Sequence, residues 1–190
     1  MSEMGELDVI SHLSVSEQRK AHFAFIGPHH IESIYLVGDP TTLPTLDTLQ
    51  QLTSGIDLGS IATLHGGYYG EEFARLALQP ALASQLVSIS SIQDKLALLR
   101  AGRVNVILED LSVLRYWQQH QFADAARFQP LLKVYESPVY FGFSKTSLSA
   151  SQLRMLADSW QRLYQQGELV PIYQKYQIDE LKKLQPTPLL

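Results

Sequence analysis

The stretch Leu96-Ala97-Leu98-Leu99-Arg100-Ala101-Gly102-Arg103-Val104-Asn105-Val106-Ile107-Leu108-Glu109-Asp110 decides how the chain is read. Ile92, Leu96 and Leu99 recur at helical spacing, and Ser90 or Ser91 stands where an N-cap belongs. Gly102 occupies the position of a left-handed helix stop. A buried-type strand over Val104–Leu108 follows, ending in two acids, and a further helix carrying Leu111, Leu114 and Trp117 starts at or just after Asp110. Helix, glycine turn, apolar strand and helix in succession are the grammar of an α/β fold with largely parallel sheets.

Working outward, short apolar runs at Leu7–Ile10, Ser33–Val37, Ile61–Leu64, Leu86–Ile89, Leu132–Tyr135 and Val139–Phe143 read as the other strands. A helix is expected over Glu71–Gln79, stopping before Pro80. A longer one starts near Ser149 or Ser151, shows the stripe Leu153, Leu156, Trp160, Leu163 and Tyr164, and ends at Gly167. That stripe reads as core. The Gly38–Thr45 stretch is an extended connection, Ser137-Pro138 a second break, and Gln185–Pro188 a tail. These breaks divide the chain into 1–37, 38–136 and 137–190.

Composition narrows the function. The 190 residues carry a net charge of −4, which disfavours a general nucleic-acid binder. With 45% hydrophobic and 18% charged residues, the chain is globular rather than disordered. The absence of cysteine removes thiol nucleophiles, disulfides and thiolate metal sites. No apolar run has the length of a membrane span, and the acidic Met1–Glu6 start does not read as a signal peptide. No Gly-x-Ser-x-Gly elbow occurs. The six histidines, His12, His22, His29, His30, His65 and His120, form no helical i, i+4 pair around a Glu, so no metal or cofactor is expected. His29-His30 follows Pro28 and reads as a surface loop.

Three segments could carry chemistry. In Asp8–Arg19 a strand runs into a loop rich in hydroxyls, and an arginine follows. A guanidinium fork matches a carboxylate, with Ser11, Ser14 or Ser16 as neutral donors beside it. The same residues also read as a helix entrance, with Ser14 or Ser16 as N-cap. In Leu64-His65-Gly66-Gly67-Tyr68-Tyr69-Gly70-Glu71, paired glycines precede a helix and let backbone N–H groups approach an anion. In Gly102–Asp110 the strand delivers its acids to the edge where open α/β sheets bind ligands. Asp110 could hold a cationic group, cap the following helix, or do both with different oxygens.

In order, these pieces resemble the polar amino acid branch of bacterial periplasmic solute-binding proteins, the family-3 substrate-binding proteins of ABC transporters. Gly5-Glu6-Leu7-Asp8-Val9-Ile10 is similar to that family's "G-x-x-D" strand, and Ser14–Arg19 to its "S-I-T-x-x-R" signature. Phe25-Ile26-Gly27-Pro28-His29 resembles "F-S-x-P-Y", and Leu96–Asp110 resembles "L-x-x-G-R-x-D-x-x-x-x-D". Gly167-Glu168-Leu169 with Ile172–Tyr176 is similar to its closing helix pair.

The resemblance implies a type II periplasmic-binding fold of two α/β lobes, here 1–37 plus 137–190 and 38–136. Two crossings are implied, after Val37 and at Val139–Phe143. A small amino acid or related carboxylate would bind between the lobes, without catalysis. Arg19 would clamp its carboxylate, helped by Ser14 and by groups near Ser11 and His12. Asp110 would take the ammonium, and Gly67 and Tyr68 would add donors. Periplasmic location and an ABC-transporter permease as partner follow from family alone. His12 and Tyr68 replace the family's small hydroxyl residues, and Asn105 a usual Asp. The family also has a strand–helix–strand upstream of the segment matched here, and without it lobe one would keep an unpaired strand edge. A ligand-sensing domain of a receptor or regulator is one alternative. A dehydratase or lyase on the same fold is another, with Glu109 or His65 as its acid or base.

Overall fold

The computed structural model describes residues 7–120 and 123–176, so the Gly5-Glu6 start of the first motif and the Gln185–Pro188 tail lie outside the described residues. The chain divides into two compact units. The first takes the chain up to Glu32 and again from Ser137, and the second is Ser33–Glu136.

The second unit is layered by strand periodicity. It contains β3 (Ile61–Leu64), β4 (Leu86–Ile89) and β5 (Val106–Asp110), with the end of β2 (Phe23–Gly38) and the start of β6 (Gln129–Ser144). β3 pairs in parallel with β4 and β5, whereas β2 pairs antiparallel with β5, Leu36 facing Leu108. The sheet is therefore mixed, with two parallel pairs and one antiparallel pair among these strands. Every residue of β5 is buried, and successive side chains enter opposite faces. Val106 and Leu108 join Leu36, Ile61, Phe73, Leu76 and Leu82 in one core. Ile107 joins Val37, Ala62, Leu96, Leu99, Leu114 and Trp117 in the other. Helices α2 (Glu71–Leu76) and α3 (Pro80–Ala83) supply the first face, and α4 (Ile92–Arg100) and α5 (Leu111–His120) the second. Gly102 takes the left-handed conformation (φ +65°) that stops α4.

In the first unit, β1 (Val9–Ser14) pairs antiparallel with β6, Leu13 opposite Tyr140 and Ser14 opposite Val139. Leu13, Phe23 and Phe25 pack with Tyr140. Helix α6 (Ala150–Gln165) starts in a reciprocal capping box of Ser149 and Gln152. Trp160 and Tyr164 on it pack with Leu169 and with Tyr173 of α7 (Val170–Lys175), and Leu153 is buried, as expected of that stripe, but Leu163 is exposed.

Several expectations are corrected. The hydroxyl-rich Ser11–Ser14 run belongs to β1 and not to a loop, because Leu13 and Ser14 keep partners on β6. His29-His30 is strand, not surface loop: β2 runs from Phe23, and His30 is buried. Leu132–Tyr135 and Val139–Phe143 are one strand, β6, which continues through Ser137-Pro138. The chain leaves the first unit inside β2, at Glu32–Ser33, so the connection after Val37 lies within the second unit. Helix α2 ends at Leu76, short of Gln79.

Candidate functional site

The first unit carries the arginine. Helix α1 (Glu17–Lys20) follows β1, and Ser16 caps it by accepting the Arg19 N–H at 3.3 Å. The helix-entrance reading is therefore realised. It does not consume the guanidinium, which donates from Nη1 to the Ser14 carbonyl at 3.0 Å. Ser14 is buried, so its carbonyl is a fixed point that aims the half-buried arginine fork.

Next to this segment β1 is irregular. Its register against β6 shifts between Ile10 and Leu13, and His12 takes a positive φ of +62°, a bulge absorbed by a residue with a side chain. The His12 N–H donates to His29 Nε2 at 3.2 Å. The His12 ring lies 5.5 Å from that of His29 and 5.4 Å from that of His30, and its Nε2 is 3.7 Å from Glu32 Oε1. His29 also lies against Phe141, with ring centroids 4.4 Å apart, and its carbonyl accepts the Tyr173 hydroxyl. The sequence reading missed this arrangement. Among the described residues no group of three or more His, Asp or Glu is placed to hold a metal ion.

Burial first, then the neighbouring His12 and His30, pulls the His29 pKa from the ordinary 6.5 down to about 4. The unfolded chain therefore binds more protons than the folded one between these values. Stability from this group is complete above pH 6.5 and is lost as pH falls toward 4. The expected slope is at most about 1.4 kcal/mol per pH unit. Urea midpoints measured across that window should fall with pH in the native chain and fall less steeply in His29→Gln.

The second unit carries the acids and the glycine turn. Asp110 is buried and caps α5: Oδ1 accepts the Ser112 N–H at 2.8 Å and the Ser112 hydroxyl. Its Oδ2 accepts the Ser33 N–H at 2.8 Å. Of the two roles open to Asp110 in the sequence, the cap is the one visible in these contacts. Glu109 is turned into the protein, where Oε2 meets Lys95 Nζ at 2.7 Å and Oε1 accepts the Asp110 N–H at 3.0 Å. Lys95 also donates to the Leu108 carbonyl. Burial outweighs the lysine and raises the Glu109 pKa.

In the glycine turn, the Gly67 N–H donates to the Leu64 carbonyl at 2.9 Å, closing the turn on itself. The Leu64 N–H donates to the Tyr69 hydroxyl at 2.7 Å. Gly70 has φ +88°, and a Cβ there would meet the Tyr135 ring at 2.5 Å, so glycine is required. Tyr68 is exposed and meets Tyr135 edge to face at 5.4 Å. His65 is also exposed, its Nδ1 3.5 Å from the Ser88 hydroxyl.

The structure thus groups Ser11, His12, Ser14 and Arg19 in the first unit and Gly67, Tyr68 and Asp110 in the second. No family model matches the chain, and no curated protein matches it by sequence. Solved structures do match its fold. An ancestral arginine-binding protein bound to arginine aligns with a TM-score of 0.73 at 18% identity, covering 92% of this chain and 73% of that one. The chain has the periplasmic-binding-protein fold. The amino acid ABC transporter substrate-binding protein AbpA from Streptococcus pneumoniae, bound to L-arginine, aligns at TM-score 0.71 and 17% identity, covering 92% of this chain and 69% of AbpA. A histidine kinase sensor domain similar to periplasmic binding proteins gives 0.71 at 18% identity, with 92% and 71% covered. On this periplasmic-binding-protein fold, no described helix is long and apolar enough to cross a membrane.

Proposed function

We propose that the chain binds a small amino acid or related carboxylate, without turning it over, as the solute receptor of an ABC transporter in the periplasm. The observation that carries this is Arg19, whose fork is aimed by the buried Ser14 carbonyl on a fold whose relatives include arginine-bound receptors. Arg19 is the carboxylate anchor, with Ser14, Ser11 and His12 beside it. In the other unit, Asp110 is the ammonium anchor, and Gly67 and Tyr68 line the glycine turn. Engagement of Glu109 by Lys95 favours binding over catalysis, since a general acid or base has to reach its substrate.

A panel of amino acids and small carboxylates, read by thermal unfolding, tests this. A ligand at about 100 times its dissociation constant stabilises by about 2.7 kcal/mol. A selective upward shift is expected, and a folded protein that responds to none of the panel would refute the reading. The likeness to a histidine kinase sensor domain supports a second reading, in which the same binding event feeds a signalling output. An output domain encoded in the same reading frame would decide for it, and a permease gene alongside would decide for transport.

A further inference from the structure

The bulge at His12 is linked to Arg19 through the register of β1. β1 would keep its pairing with β6 in even steps if it were regular; instead an extra residue enters between Ile10 and Leu13, and His12 absorbs it at φ +62°. The bulge fixes the register in which Leu13 meets Tyr140 and Ser14 meets Val139. That register in turn fixes the Ser14 carbonyl to which Arg19 donates. At the bulge the His12 N–H donates to His29 Nε2. An imidazole nitrogen accepts only when it carries no proton. The ring bearing it is set by Phe141 on one side and, through the backbone carbonyl of the same residue, by the Tyr173 hydroxyl.

We propose that His29 is a positioning residue for the carboxylate anchor, its neutral ring latching the His12 bulge and thereby the Ser14 carbonyl that aims Arg19. The inference rests on the binding function proposed above and adds a residue to it. Protonation of His29 turns the acceptor into a donor facing another donor, which opens the latch. The titratable groups around it are His12 from β1, His30 and Glu32 from β2, and Tyr173 from α7, while β6 contributes the uncharged Phe141. Burial and the two imidazoles keep the ring neutral until about pH 4, so the latch is closed at neutral pH.

The test compares His29→Phe, which keeps a ring against Phe141 but has no acceptor, with His29→Gln, which restores one. Two nuclear magnetic resonance readouts need no ligand: the exchange protection of the His12 amide and the position of the Arg19 Nε–H resonance. His29→Phe is expected to lower His12 protection about tenfold and to move the Arg19 signal, and His29→Gln to restore both. Calorimetric titration with L-arginine and L-glutamine gives the third readout. Affinity should weaken about two- to thirtyfold in His29→Phe and recover in His29→Gln. The native chain should also lose affinity as pH falls through about 4, a loss that His29→Gln lacks. Unchanged His12 protection or an unmoved Arg19 signal in His29→Phe would overturn the proposal, as would full affinity despite a lost latch. If neither amino acid binds the native chain, the thermal panel decides the binding function separately, and the two ligand-free signals still decide the role of His29.

Discussion

Lys95→Met is expected to destabilise the protein by about 3–5 kcal/mol at neutral pH, because it strands a buried carboxylate. Lys95 and Glu109 are 4% and 5% exposed, and their ion pair at 2.7 Å is what permits either charge to sit there. The loss should shrink in acid. Glu109 already has a raised pKa from burial, and removing the lysine raises it further. A carboxyl whose folded pKa is raised contributes stability below its unfolded value and loses it as pH rises through the folded one. The single variant should therefore recover as pH is lowered towards the ordinary glutamate range. Lys95→Met combined with Glu109→Gln removes both charges and keeps an acceptor for the Asp110 N–H, so most of the loss should be regained. Urea unfolding of the three proteins at two pH values measures this. A single-variant loss below about 1 kcal/mol would mean that water reaches the pair.

Arg19→Ala should leave the fold nearly intact and remove ligand binding. Its single bond to the Ser14 carbonyl contributes about 1 kcal/mol to stability. Truncating one side of a desolvated charge pair costs about 2–5 kcal/mol, or roughly thirty- to several-thousandfold in affinity. Arg19→Lys should fall between, since an ammonium lacks the planar fork that meets both carboxylate oxygens. Calorimetry with the amino acid selected by the thermal panel measures all three. Native affinity in Arg19→Ala would displace the anchor to another residue.

What the sequence disclosed and what it hid follow from the range of the interactions. Ile61–Leu64 and Leu86–Ile89 were legible residue for residue, since each is a short, largely apolar run bounded by turns. The Ser149 and Gly102 helix boundaries were legible because capping is local chemistry. The long strands were not. Pro28, Pro138 and the charged residues near them are turn signals when read locally, yet β2 and β6 run through them, held by partners far away in sequence. Arg19 could be picked out because its fork and the serines before it form one motif. His29 could not be tied to that motif, because its bond to His12 spans 17 residues and depends on a bulge that no local pattern announces. Lys95 was hidden for a similar reason: on α4 it reads as a solvated charge until β5 places Glu109 against it.

The path of the chain through its two units also sets an order of assembly. Residues 33–136 form one uninterrupted segment, and every strand pairing given for that unit lies within it. A ribosome therefore makes all that this unit requires before it adds residue 137. The other unit waits, because Val9 meets Phe143 only after that partner has been synthesised. During this interval β1 is a strand edge without its mate, open to mispairing. Birth order thus leaves β1 waiting for β6 while the whole segment between the two halves of its unit is made.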